Sequence, residues 1–528
     1  MTPRLEGAGT TVPGSEPISI TRRDALSLAV GVLVAGAPGM ASAAPQGQLT
    51  WGIHVSLAPG WFDPAETSGL ITPFMVLYAL QDAMVKPMPG KPFAPSLAES
   101  WSASEDGLTY EFVLRKGPTF HNGDPVTAED VKFSFARYRG ASHDVMASRV
   151  ASIETPDPQH VVFRLKEAWP DFLTFYASAT GAGWIVPKKY VEKVGDDGYL
   201  KAPIGAGPYK FVSFNPGVEL VLEANEAYWR KVPSVKRLVF RVIPDEATRL
   251  AALTRGEVDI VYSIRGELAD ELRKTAGLTL KPVNTPAAFW LSFADQWDEK
   301  SPWYDERVRK AASLALDRDG INQALTLGFS KITGSMIPQS FDMYWQPPAP
   351  VQDQAKAKQL LAEAGYPNGF DAGGLYCDSS YSNVAEAVLN NLAEIGIRIG
   401  LRPIERAGFL KEWGDKKFKN VIQCGSGAFG NAATRLAAFV VGGGTYAYGS
   451  YPDIDDLFKK QAVELDQKKR SEMVAKIQQL VYEKTVIAPI WQLAFINGIG
   501  PKVGESGFGL ITDFAYTAPY EDITIKAT

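Results

Sequence analysis

L-Y-C-D-S-S-Y-S-N-V-A-E-A-V-L-N-N-L-A-E-I-G-I-R-I-G-L, residues 375–401, carries two hydrophobic periods in one segment. Val384, Val388, Leu392 and Ile395 recur at helical spacing, and then Ile395, Ile397, Ile399 and Leu401 recur at every second residue. With a short strand at 375–377 in front, the segment reads as strand, helix, strand. Apolar runs on both strands predict a sheet covered on its two faces.

The same alternation extends outward in both directions. Residues 418–424 predict another strand, and Met473, Ile477, Leu480 and Val481 mark a late amphipathic helix. Nearer the start, Thr109–Leu114 is rich in β-branched and aromatic residues and is closed by Gly117-Pro118. Thr127-x-x-Asp130 is a box-like cap for a helix carrying Val131, Phe135 and Tyr138. Asp245 caps a helix running to Thr254, with Gly256 past its end and a strand at 258–262. The expectation is an α/β chain of more than one lobe.

Composition limits the function. At about 150 residues per domain, 528 residues suggest roughly three domains. Hydrophobic content of 45% and charged content of 21% exclude a disordered chain, a coiled coil and a disulfide miniprotein. The 54 Lys and Arg stand against 59 Asp and Glu, a net charge of −5, and no basic tract could neutralise a row of phosphates. Nucleic acid is therefore not an expected partner.

Residues 1–43 read as an export signal. Arg22-Arg23 precede an apolar run from Leu26 to Met40, and Ala41-Ser42-Ala43 form a small-x-small cleavage pattern. The run is about 15 residues and broken by Gly31, Gly36, Pro38 and Gly39, whereas a membrane span needs about 20. The Arg pair resembles a twin-arginine signal, although Ala25 stands where that pattern prefers a bulky apolar residue, so the general secretory route stays open. No Cys follows the run, so no lipid anchor is expected, and the mature chain reads as a soluble periplasmic protein. Cys377 and Cys424 are left as a pair or as two buried thiols.

Catalytic and metal motifs are missing. His54, His121, His143 and His160 show neither i,i+4 pairing nor a Cys neighbour, and there is no G-x-S-x-G elbow. Gly425-x-Gly427-x-x-Gly430 follows a strand, but no second strand with an acidic end comes promptly after it, so it reads as a turn or ligand loop. No catalytic residue, metal or cofactor is expected. The 12 Trp and 20 Tyr are first core material, and secondly the rigid walls of a recognition cleft.

Several motifs in order carry a resemblance. Leu97-Ala98-Glu99-Ser100-Trp101 is followed by L-R-K-G-P-T-F-H-N-G-D-P-V-T-A-E-D-V at 114–131. Gly205-Ala206-Gly207-Pro208-Tyr209 fits a G-x-G-P-Y turn, and Ala227-Tyr228-Trp229 completes N-x-x-Y-W. D-E-R-V-R-K-A-A-S-L-A-L-D-R-D at 305–319 and Ala364-Gly365-Tyr366-Pro367 follow. Together they resemble the solute-binding proteins of peptide-type ABC importers, family 5. The resemblance implies a two-lobed periplasmic-binding-protein fold with hinge segments and an extra subdomain on lobe one. Mapped here, lobe one is 44–283 with an inserted subdomain at 91–204, lobe two is 284–489, and 490–528 returns to lobe one. It also implies lobes that close over one small-molecule or peptide solute, and a closed form that docks on an inner-membrane permease. A monomer is expected.

The departures set the site. Where peptide binders of the family carry E-W-x-x-F-L, this chain has Glu405-Arg406-Ala407-Gly408-Phe409-Leu410. Where they carry G-W-x-x-D, whose Asp holds the peptide amine, an ungapped count gives Cys424-Gly425-Ser426-Gly427-Ala428. An ammonium facing Ala428 loses its partner, at about 3–5 kcal/mol by analogy with broken buried pairs. Arg406 is read as the partner of an acidic group, and Gly425 and Ser426 as hydrogen-bond donors. Trp290, Trp491 and Phe429 are read as walls, with Glu66 and Thr67 as further contacts. An anionic or uncharged solute is expected over plain dipeptides. A conventional oligopeptide binder is the alternative, ahead of an envelope hydrolase or a metal–chelate binder.

Overall fold

Residues 375–401 fold as read, as the strand Phe370–Asp378, the helix Ser382–Glu394 and the strand Ile397–Ile404. The two strands are parallel, with Leu375 beside Leu401. The computed structural model describes residues 44–67, 72–140 and 142–526, so the export-signal reading of 1–43 lies outside it.

This unit sits at one edge of an 11-stranded sheet. One half of the sheet is built on Gln46–Ile53, with Val235–Val242 and Ile260–Val261 parallel to it on either side. The other half is built on Phe370–Asp378, with Ile397–Ile404 and Val421–Ser426 parallel on either side. Two long antiparallel strands, Thr279–Phe293 and Ile487–Ile499, join the halves. They pair from Thr279–Ile499 to Ser292–Ile487, and the register breaks between Asn284 and Ala288. Pro286 lies in that break and has no N–H to donate to the ladder. A paired but locally broken crossing is a natural place for two halves to bend.

A four-stranded sheet with its own core, including Phe112, Phe163 and Tyr176, occupies 98–165. The motifs of the resemblance fasten this segment to the first half. His121 accepts from the Gly205 N–H at 3.1 Å, and its other ring nitrogen meets the Gly207 carbonyl at 3.1 Å. Asp82 is fully buried and accepts from Lys86 at 2.8 Å, Ser96 at 2.6 Å, Tyr228 at 3.1 Å and Trp229 at 2.9 Å.

Local expectations hold with shifted ends. Asp130 accepts from the Thr127 N–H ahead of the helix Ala128–Arg137, and Asp245 accepts from the Thr248 N–H at the start of Glu246–Thr254. The strand read at 258–262 shrinks to Ile260–Val261. The strand read at 418–424 is Val421–Ser426, because Asn420 takes a left-handed turn conformation with φ of 58°. The late helix is Gln467–Glu483, and Val474, Ile477 and Val481 make its buried line. Cys377 and Cys424 are separate buried thiols. Cys377 stands opposite Gln423 in the ladder, so Cys424, one residue on, points to the other face.

Candidate functional site

The end of the strand Val421–Ser426 meets the crossing strands and the C-terminal segment around a chamber of about 50 Å³. Asp378, Tyr381, Arg406, Gln423, Gly425 and Ser426 line it, with Phe289, Phe495 and Tyr516 as its aromatic walls. Arg406, Gly425 and Ser426 are thus brought together as the sequence suggested.

Arg406 is neither a solvated loop residue nor a free cation. It stands at the start of the helix Arg406–Gly414, and its Nη1 donates to Asp378 Oδ2 at 2.5 Å. Its Nη2 donates to Thr72 Oγ1 at 2.9 Å, a contact between segments 334 residues apart. Burial opposes its charge, but the Asp378 carboxylate and the Tyr381 and Tyr516 side chains together hold its pKa above the usual value. The second Asp378 oxygen accepts from the Ser380 N–H at 2.9 Å. Asp378 is the only carboxylate among the lining residues, and both its oxygens are engaged.

The space beside Gly425 is filled from a neighbouring strand. Phe289 pairs with Gly425, and a Cβ on Gly425 would stand 2.9 Å from the Phe289 ring. A glycine is needed for that approach. Trp290, expected as a wall, points to the opposite face of the same strand and is buried against Phe439. Trp491 is fully buried in the core beneath the crossing and does not line the chamber.

The other expected residues have other surroundings. Phe429 stacks on Phe514 with centroids 5.7 Å apart and faces a second chamber of about 330 Å³. Glu66 pairs with Arg139, and the Thr67 hydroxyl donates to the Pro64 carbonyl at 3.0 Å; neither lines the small chamber.

Sequence reading passed over two lining residues, Asp378 and Gln423, and two buried groups outside the lining, Arg435 and His54. Asp378 and Gln423 carried no motif; Asp378 ends its strand, where a ligand contact could have been suspected, and Gln423 lies mid-strand with no such signal. Arg435 is buried without a carboxylate partner and donates to the Ser426 carbonyl at 2.9 Å and the Ala428 carbonyl at 3.0 Å. Burial pushes its pKa down to about 9. His54 is also buried, and burial, with the nearby Arg249, Arg265 and Arg406, keeps its pKa far below the usual imidazole value. Ala428 itself is buried and brings no charge.

A two-part sheet joined by crossing strands, with a polar chamber at the crossing, is the geometry of a protein that grips a solute between lobes. The family model for bacterial extracellular solute-binding proteins, family 5, matches residues 92–447. The chain belongs to that family.

Its relatives agree. It is 28% identical over 481 residues to the probable di/tripeptide-binding protein 5 of Pseudomonas aeruginosa (strain UCBPP-PA14), covering 85% of this chain and 91% of the relative. It is 27% identical over 473 residues to the dipeptide-binding protein of Escherichia coli (strain K12), covering 82% and 86%. Among solved structures, the PBP AgaA from A.tumefacien R10 in complex with agropinic acid is similar at a TM-score of 0.79 and 26% identity, covering 91% and 99%. A periplasmic binding protein DppA from Helicobacter pylori, in complex with the peptide STSA, shares the fold at a TM-score of 0.80 and 24% identity, covering 91% and 98%. The fold is the two-lobed α/β fold of periplasmic binding proteins. This family-5 chain is the substrate-binding component of an ABC importer, with a peptide or small solute and a permease as partners. Among the described residues no helix is long and apolar enough to cross a membrane.

Proposed function

We propose that this family-5 protein is exported through its first 43 residues, by a twin-arginine-like signal, to work in the periplasm as a monomer without catalysis. It captures an anionic or uncharged solute in preference to plain dipeptides. Lobe one is 44–283 with 490–528 and carries the insert at 91–204; lobe two is 284–489. In support of that division, the broken register between Asn284 and Ala288 lies at the proposed boundary.

The specificity rests on one observation: Asp378, the only carboxylate among the described lining residues, is already paired with Arg406 at 2.5 Å. A peptide ammonium entering there meets no free anion, and the buried Arg435 guanidinium, held by the Ser426 and Ala428 carbonyls, adds positive charge nearby. A buried cation without a partner costs several kcal/mol, of order the difference between a micromolar ligand and a useless one. AgaA, with its agropinic acid, shows that a relative of this fold takes a solute other than a plain peptide.

Titration calorimetry with plain dipeptides, Met-Leu and Ala-Ala among them, tests the reading. Weak or absent binding is expected. Tight dipeptide binding that survives Arg406→Ala overturns it and restores the oligopeptide binder.

A further inference from the structure

Two residues that line the chamber each hold a buried polar atom with no hydrogen-bond partner among the described residues. Gln423 is 2% exposed, and its Oε1 is buried and accepts no hydrogen bond. The Nε of Arg406, left over after Nη1 and Nη2 are spent on Asp378 and Thr72, donates to nothing. Both residues line the same chamber. A buried polar group without a partner weakens the closed protein, and a ligand that satisfies it removes that penalty in the closed form alone. One orphan is an acceptor and the other a donor, so a fitting group must offer a donor and an acceptor of its own.

We propose that the chamber selects an uncharged solute head carrying a hydrogen-bond donor and acceptor side by side, with Gln423 as the specificity-determining residue. Such a head is a carboxamide or a pair of sugar hydroxyls: its donor meets Gln423 Oε1 and its acceptor meets the Arg406 Nε–H. The proposal rests on the reading of this chamber as the solute site and narrows that reading from anionic or uncharged to uncharged. A carboxylate head offers no donor to Gln423 and sets a second anion beside Asp378. An ammonium head has no acceptor for the Arg406 Nε–H and sets a second cation beside that guanidinium. Each wrong head leaves one orphan unpaired, and sites of this kind reject analogues that do so.

The test uses the full mature protein and pairs of probes differing at one group: glutamine with glutamate, N-acetylglycinamide with N-acetylglycine, and galactose with galacturonate. Thermal shift and calorimetry are run at up to millimolar probe. At least one neutral member is expected to bind, its acid counterpart more than tenfold more weakly. Gln423→Leu is expected to weaken the neutral probe more than tenfold while the Tm without probe holds or rises, because an orphaned amide has been removed. Gln423→Glu, which retains the acceptor, is expected to retain part of the binding. Acid members binding as well as neutral ones, undiminished binding by Gln423→Leu, or no binding by any pair overturns the proposal. Tight dipeptide binding, by contrast, overturns the underlying reading of the site.

Discussion

His121 shows how a single residue can tie stability to pH. Its ring is buried between the Gly205 N–H and the Gly207 carbonyl, and burial brings its pKa down from 6.5 to about 4, the Gly207 bond working the other way. The unfolded chain takes up this proton near pH 6.5, whereas the folded chain resists it to about pH 4. Between those values the unfolded state binds more protons, so stability present above pH 6.5 is lost as pH falls. Over the whole window the loss is of order 3 kcal/mol. His121→Gln keeps a donor and an acceptor but cannot titrate. Urea unfolding at pH 7 and pH 5 is expected to show a drop smaller by about 2 kcal/mol in the variant, with His54 contributing equally to both. Equal drops remove His121 from the account. At this scale the sequence was only partly legible. Arg406, Gly425 and Ser426, named by counting along the chain, line the chamber, whereas Trp290 was named and Phe289 was not considered, because a count cannot tell which of two successive strand residues faces the cleft.

Elements were easier to read, because caps and periods are local. Thr127-x-x-Asp130 announced a helix start, and Asp130 Oδ2 does accept from the Thr127 N–H at 2.9 Å and from its hydroxyl at 2.7 Å. The other Asp130 oxygen accepts from the N–H of Lys188 at 2.9 Å, at the start of the helix Lys188–Lys201. One carboxylate therefore serves two helix starts, the second of them 58 residues beyond Asp130. Asp130→Ala is expected to cost about 2–3 kcal/mol in urea unfolding, more than a single cap is worth, and Asp130→Asn less. A loss of about 1 kcal/mol or under reduces it to an ordinary cap. The first half of this arrangement was visible in the sequence and the second was not, since nothing local to Lys188 signals a partner so distant. The same limit hid Asp378: its neighbour Arg406 is 28 residues away, and only parallel pairing of Phe370–Asp378 with Ile397–Ile404 brings the two together.

At the scale of the molecule, contacts between segments far apart in the chain link the two proposed lobes. Asp171, in the proposed insert at 91–204, accepts from Asn431 Nδ2 at 2.6 Å and from Arg470 Nη2, both within the proposed lobe two at 284–489. Asp171 and Arg470 are 5% and 10% exposed, so the pair is dry enough to depend little on salt. Asn431 also caps the helix Ala432–Phe439 and directly follows the loop that ends at Gly430, so this contact is joined to the chamber's edge. Arg265 adds a bond from its Nη2 to the Ser380 carbonyl at 2.7 Å. Opening the cleft must break these contacts and hydrate their charges, so they set how much of the protein is closed before any solute arrives. An apparent dissociation constant scales inversely with that closed fraction. Arg470→Met leaves Asp171 without its cation in the closed form but free to hydrate in the open one, which favours opening. In small-angle scattering without added solute, the variant is expected to show a larger radius of gyration than the wild type. A solute that the wild type binds in calorimetry is expected to bind roughly tenfold or more weakly. The double variant Asp171→Leu, Arg470→Met replaces the pair with apolar contact and is expected to recover the compact form, because a buried pair is often no more stable than its hydrophobic replacement. If Arg470→Met scatters as the wild type does, closure is set elsewhere, and the bond from Arg406 to Thr72 becomes the contact that decides it.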